Sequence, residues 1–223
     1  MKALQPDFRD AQTLQQLGLA SVQIVHDLKN QLNGLKLYAT FLRKRMEKNE
    51  AAPDEQETIG KLIAGLERAA ADMTTLVRYG RAIELRRLPQ VDLSKILAEI
   101  AAQSDSNELV YQAPAANEFV GEFDIAALTE ALKTITSGAR QRISETNKPI
   151  KLQLTRSVAD TAEKPMALIE WRGVQLNGTY DPFRSFNGSD GLRLALAAKL
   201  IEAHDGAIWQ EADKFYVHLP INV

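Results

Sequence analysis

An alternating three-and-four spacing of apolar or small residues opens the chain: Leu14, Leu17, Ser21, Ile24, Leu28, Gln31/Leu32, Leu35, Ala39, Leu42 and Met46. That period writes a seam along one side of a helix, and a seam this long has to be buried against other helices in a bundle or coiled coil. After a polar lead-in at residues 1–10, it predicts a first helix from about Ala11 to Lys48. Asn49 to Pro53 breaks the pattern, and Asp54 with Glu57 three residues later suits the start of a second helix, running to about Arg81. Ile59, Leu62, Ile63, Leu66, Ala70, Met73 and Val77 mark its inner face. Two long helices joined by a short turn make an antiparallel hairpin. Two helices alone enclose a thin core, so the seams predict pairing with a second copy into a dimeric four-helix bundle. The alternative is a hairpin packed on the chain's own C-terminal half.

Within the first helix the run Val25-His26-Asp27-Leu28-Lys29-Asn30-Gln31-Leu32 sets a histidine, an acid and an amide beside the seam. His26 falls between the seam positions Ile24 and Leu28, so its ring is expected to project beside the core, toward solvent. Asn30 follows one turn later on the same face, whereas Asp27 is rotated by about 100°. On the helix pattern alone His26 is an ordinary surface histidine.

The 223 residues, 45% of them apolar, suffice for one large or two small domains with a buried core. A net charge of -2 argues against nucleic-acid and polybasic membrane partners. With no cysteine there is neither a disulfide framework nor a thiolate site. His26, His204 and His218 are too scattered for a metal cluster. No apolar run reaches the roughly 20 residues of a membrane span and no signal-peptide core opens the chain, which predicts a soluble, cytoplasmic protein without a sensor domain.

Arg81 to Gln90 reads as a basic, proline-containing linker, dividing the chain into a helical domain at 1–85 and a second domain at 86–223. Asp92 can cap a helix holding Leu93, Ile96, Leu97 and Ile100. Strand-like runs follow at Glu108–Gln112 and Glu118–Glu122, then a helix from Asp124 with Leu128, Ala131, Leu132, Ile135 and Ala139. Ile150–Arg156 and Met166–Arg172 alternate as strands, and Gly191–Ala203 reads as a helix. Ala207–Glu211 and Lys214–Leu219 form a closing hairpin turned at Ala212-Asp213. This order implies an α/β sandwich, one sheet with helices on one face.

His26-Asp27-Leu28-Lys29-Asn30-Gln31-Leu32 resembles the H box of two-component sensor histidine kinases, with Gln31 where that family commonly has proline. The resemblance implies that His26 is the phosphorylated residue, that Asp27 assists as a base, and that Asn30 positions water for dephosphorylating a partner. The second half is similar to the family's ATP-binding domain. Leu192 to Ala195 and Leu200 to Ile208 look like the last glycine box with the helix and strand after it, Tyr180-Asp181-Pro182-Phe183 like the Phe box, and Leu219-Pro220 like the final strand. The implied fold is a dimeric helical hairpin followed by an α/β sandwich of the histidine-kinase ATPase type.

The departures from that family lie in the nucleotide pocket. Gly138 stands where an asparagine would hold the metal ion, and Thr134 where a second asparagine is common. Trp171-Arg172-Gly173-Val174-Gln175 replaces the Asp-x-Gly-x-Gly run whose acid contacts adenine, and tryptophan cannot accept that bond and would crowd the base. Ser189-Asp190-Gly191-Leu192-Arg193 keeps one glycine of the phosphate box and adds a carboxylate. The segment from Gly173 to Phe183 is short for an ATP lid. No cofactor and no metal are therefore expected.

An intact H box with a degraded pocket resembles histidine phosphotransferases built on a kinase-like scaffold, whose autokinase activity is lost. Neutral imidazole is nucleophilic near pH 7, and phosphorylated it is a good donor. The expected partners are response-regulator receiver domains, an upstream histidine kinase and a second copy of the chain. Val22 and Leu37 would form the docking surface, with Lys29 and Lys36 available to acidic loops. The alternatives are an active sensor histidine kinase/phosphatase using ATP and magnesium, and a non-enzymatic scaffold for a receiver.

Overall fold

Two helices build the first part of the chain in the computed structural model: α1 (described over 28–30 and 32–47) and α2 (Pro53–Gly80). The structure describes residues 25, 28–30, 32–47, 53–105, 108–114, 119–142, 149–157, 165–175, 181–186 and 188–222. It divides into two compact units, Met1–Ala82 and Ile83–Val223.

In α1 the seam splits into two rows. Ala39 is buried, and Leu32 and Met46, seven residues to either side, are half-buried. Leu28, Leu35 and Leu42, also seven apart, are 42%, 53% and 55% exposed. On α2, Ile63 and Val77 are buried and Leu66, Ala70 and Met73 half-buried. Leu62, expected inside, is exposed because Ile63, one step of about 100° away, takes the inward position. Lys36 Nζ bridges to Glu67 Oε1 at 2.7 Å, tying α1 to α2 and holding the Glu67 carboxyl below the usual range. Lys36, expected to be available to a partner's acidic loop, is thus engaged with Glu67 in this structure.

The second unit is a two-layer α/β arrangement. Its strands are β1 (Leu88–Asp92), β2 (Leu109–Gln112), β3 (Val120–Phe123), β4 (Ile150–Ser157), β5 (Met166–Arg172), β6 (Ala207–Glu211) and β7 (Lys214–Pro220). Its helices are α3 (Leu93–Ala102), α4 (Ile125–Arg140) and α5 (Gly188–Ala203). Five strands form one sheet in the order β2-β4-β5-β7-β6, with β2 parallel to β4 and the other pairs antiparallel. Strict alternation puts Ile150, Leu152 and Leu154, then Ala167, Ile169 and Trp171, then Phe215, Val217 and Leu219 on the buried face. Leu93, Leu97, Leu128, Leu132, Ile135, Leu194 and Ile201 of the helices complete the core. Each such side chain contributes about 1.5–3 kcal/mol on burial.

The expected cap at Asp92 forms, and Asp124 caps the next helix in the same way. Asp92 accepts from Ser94 N–H at 2.9 Å and Asp124 from Ala127 N–H at 3.0 Å, fixing where α3 and α4 begin. Two expectations need correction. Leu88–Gln90, expected in the linker, already belongs to β1; Pro89 is tolerable in a strand with an open edge, and the pairing shifts between Leu88 and Val91, where Gln90 has φ 58°. Nor is there a single sheet: β1 and β3 make a separate antiparallel pair. Each of these strands runs directly into a helix cap, at Asp92 and Asp124, which ends the pairing.

Candidate functional site

His26 and Asp27 lie outside the described residues. Asn30 is exposed on α1. Leu37 follows it by seven residues, and Phe41 by eleven, so all three share one side of the helix, about 180° from Leu28. Leu37, Tyr38 and Phe41 are 55%, 68% and 60% exposed. Helix α1 thus carries two apolar surfaces, the row at Leu28, Leu35 and Leu42 and a second around Leu37 and Phe41. Val22, expected to share in the second, lies outside the described residues.

In the α/β unit, α4 and the start of α5 frame a cleft of about 200 Å³. Lys133, Ser137 and Gln141 line it at a spacing of four, with Thr134 and Gly138 from the same helix and Asp190, Arg193 and Leu194 from α5. The spacing was visible in the sequence, but only the position of α5 turns that face of α4 into a wall. Gly138 is where the helices close up: a Cβ there would meet Leu194 Cδ2 at 2.8 Å. Leu194 is 1% exposed. Leu194 would have to shift for a side chain to stand at 138.

The other positions singled out in the sequence lie apart from this cleft's lining. Trp171 is fully buried, and its Nε1–H donates to Thr136 Oγ1 at 3.0 Å; that hydroxyl in turn donates to the Leu132 carbonyl at 2.8 Å. Gly173 ends β5 with φ 92°, and its N–H and that of Val174 donate to the Asp213 carbonyl at 3.1 and 2.9 Å. A left-handed strand end of this kind accounts for the glycine without a ligand. Gly191 is needed where the Ser185 carbonyl approaches, 2.8 Å from where its Cβ would be. Helix α5 begins at Gly188, three residues before the expected start, so Ser189-Asp190-Gly191 is a helical turn and not an extended loop. Phe183 packs into the core edge-on to Phe215, with centroids 4.8 Å apart. Among the described residues no group of three or more His, Asp or Glu side chains could hold a metal ion, and no helix is long and apolar enough to cross a membrane.

No family model matches the sequence. Over 99% of its length the chain is 22% identical to the sensor histidine kinase ZraS of Escherichia coli. The fold resembles that of the Acinetobacter baumannii histidine kinase AdeS, with a TM-score of 0.52 and 16% identity over 84% of this chain and 96% of that one. The chain is similar to the sensor histidine kinases from end to end. It spans about half, 49%, of the length of ZraS. The ATP-binding domain of PrrB from Mycobacterium tuberculosis matches at a TM-score of 0.47 and 18% identity, over 62% of this chain and 99% of that one.

The fold of the chain is thus like that of the histidine kinase AdeS. Gly138 faces Leu194 across the contact of α4 with α5. Trp171 is committed to Thr136.

Proposed function

We propose that this chain works in two-component signalling as a histidine phosphotransferase, relaying a phosphoryl group between His26 and the aspartate of a response-regulator receiver domain. The observation that carries this reading is the packing of Leu194 on Gly138. An asparagine able to hold a magnesium ion does not fit at 138 unless Leu194 moves. Trp171 has no acceptor to offer an adenine amino group. Asp190 puts a carboxylate in the first turn of α5, where a phosphate would otherwise be favoured. Magnesium-ATP does not suit these residues.

In the relay the receiver brings its own aspartyl phosphate. A ring nitrogen of neutral His26 attacks phosphorus; the P–N bond forms as the P–O bond to the aspartate breaks, and the carboxylate leaves with its electron pair. Asn30 orients the water that competes for the phosphoryl group, and Asp27 matters less than it would to a kinase. Leu37, Tyr38 and Phe41, exposed on the Asn30 side of α1 or beside it, suit the apolar part of a receiver docking face. The open row at Leu28, Leu35 and Leu42 suits pairing of the helical hairpin (residues 1–85) with a second copy into a four-helix bundle. This carrier is cytoplasmic, and an upstream histidine kinase charges the first receiver.

One feature favours the second reading, an active kinase: Lys133 and Arg193 line the cleft and would suit phosphates. Mixing the protein with a receiver charged from labelled acetyl phosphate tests the two. Label is expected on the wild-type protein and none on His26→Gln, with fold and dimer unchanged. Calorimetry is expected to show no magnesium-ATP binding tighter than tens of micromolar, roughly -6 kcal/mol. Tight binding with label transferred from ATP would establish the kinase instead, and acid-labile label persisting on His26→Gln would remove the site.

A further inference from the structure

Residues 83–87 lead into β1 as a strap fastened at two helix ends. Arg86 N–H donates to Asp124 Oδ2 at 2.9 Å, while Asp124 Oδ1 caps α4 through Ala127 N–H. Arg87 donates to Asp205 Oδ2 at 2.6 Å and to the Ala203 carbonyl at 2.7 Å. That second fastening sits at the C-terminal end of α5, where a cation is favoured by the helix dipole. Its acceptors are held in place: Asp205 has φ 60°, and a Cβ on Gly206 would lie 2.5 Å from the His218 carbonyl.

Between the two fastenings lies His204, fully buried and unused by chemistry at His26. Its Nδ1 is 2.8 Å from the Leu200 carbonyl, and its Nε2 is 3.1 Å from Asp124 N–H. A carbonyl only accepts and a backbone N–H only donates. The ring is therefore neutral, with its proton on Nδ1.

We propose that residues 83–87 form a proton-sensitive latch, released from Asp124 and Asp205 when His204 takes up a proton on Nε2. That proton sets one donor against another at the Asp124 N–H. The new imidazolium draws the Asp124 carboxylate away from Arg86 N–H and repels the Arg87 guanidinium, so both fastenings weaken together. These are the charged groups facing the ring: Arg87 from the strap and Asp124 from the α4 cap. Helix α5, which ends one residue before the ring, contributes the Leu200 carbonyl, and β3 the Phe123 ring, 5.9 Å away. Burial above all holds His204 below the usual histidine range, helped by Arg87 and opposed by the Leu200 carbonyl and Asp124. The N–H groups of Ala127 and then Arg86 hold the Asp124 carboxyl low, so it stays anionic while the histidine titrates. Lowering of the His204 pKa in the latched form means that acidification favours the released one.

Hydrogen exchange of the Arg86 amide in the full chain at pH 7.5 and 5.5, corrected for intrinsic exchange, tests the latch. If the released ring titrates near 6.5 and the latched ring stays neutral, protection falls by up to about tenfold between these two values. Amides of β5 are expected to stay protected at both. In His204→Gln, a side-chain carbonyl can accept from Asp124 N–H without titrating, so protection should be the same at both pH values. In Arg87→Gln, which keeps the core intact, protection should be low at both, with a ratio near one. A wild-type protein with pH-independent protection overturns the latch. So does His204→Gln retaining the wild-type ratio, or, should that variant not fold, Arg87→Gln retaining it.

Discussion

Gly138 and Leu194 are the residue pair on which the reading of the α/β unit turns. Forcing a side chain into a packed contact costs about 1–3 kcal/mol, and Leu→Ala in a core about 2–5 kcal/mol. Gly138→Asn is therefore expected to lower stability in urea by about 1–3 kcal/mol without creating magnesium-ATP binding. Combining it with Leu194→Ala should cost less than the two separate changes added, because the smaller side chain makes room. Strictly additive losses would mean that the pair is not the obstacle. Glu170, 7% exposed, points away from the buried face of β5 and holds Arg172 and Lys214, with Arg172 Nε at 2.7 Å and Lys214 Nζ at 3.0 Å. Burial pushes its carboxyl up, but the hydrogen bonds from Arg172 and Lys214 outweigh that and leave it below the usual range. A depressed carboxyl adds stability above its unfolded pKa, and that stability is lost as pH falls through the folded one. Acid denaturation of Glu170→Gln should accordingly be flatter below about pH 4.5 than that of the wild type. The sequence located Gly138 and Trp171 by their places in a motif. It held no sign that Trp171 would bond Thr136, since that contact depends on how α4 lies on the sheet.

At the level of elements, α1 carries an exposed apolar row at Leu28, Leu35 and Leu42. Leu35 is 53% exposed, whereas Leu66 is half-buried. If a second copy covers the open row, Leu35→Ala acts on the dimer far more than on the separate chain. With Leu66→Ala added, sedimentation is expected to show the dimer lost, at a cost of about 2–5 kcal/mol per buried leucine. A wild-type protein that sediments as a monomer at micromolar concentration would refute the bundle. Period and punctuation made most elements legible: β5 and β6 have the expected bounds, and Asp92 and Asp124 mark true helix starts. Strand β1 was not legible, because Pro89 and the neighbouring arginines read as linker and its pairing with β3 is non-local. The start of α5 was missed for a related reason. A run of Gly188, Ser189 and Gly191 has the composition of a loop, and only the close approach of the Ser185 carbonyl explains a glycine inside a helix.

For the whole molecule, two compact units predict two unfolding transitions with different dependences. If the helical unit folds as a dimer, its stability is tied to protein concentration, so its midpoint should rise on concentrating the sample. The α/β unit has its own core of fully buried side chains, among them Phe123, Leu128, Leu132, Ile169, Trp171 and Phe215, so its midpoint should not move. The same transition reports on nucleotide. A ligand at about 100 times its dissociation constant stabilises the form it binds by about 2.7 kcal/mol. In a domain of this size that would raise the midpoint by roughly 5 to 15 °C. Millimolar magnesium-ATP would reach that ratio if it bound at about 10 micromolar. We expect a calorimetric scan with millimolar magnesium-ATP to leave the α/β transition in place, and Gly138→Asn with Leu194→Ala to do the same. A shift of several degrees in the wild type would show that Leu194 yields the site to nucleotide. The protein would then have to be regarded as a kinase whose pocket opens on binding, and not as a carrier that depends on its partners for the phosphoryl group.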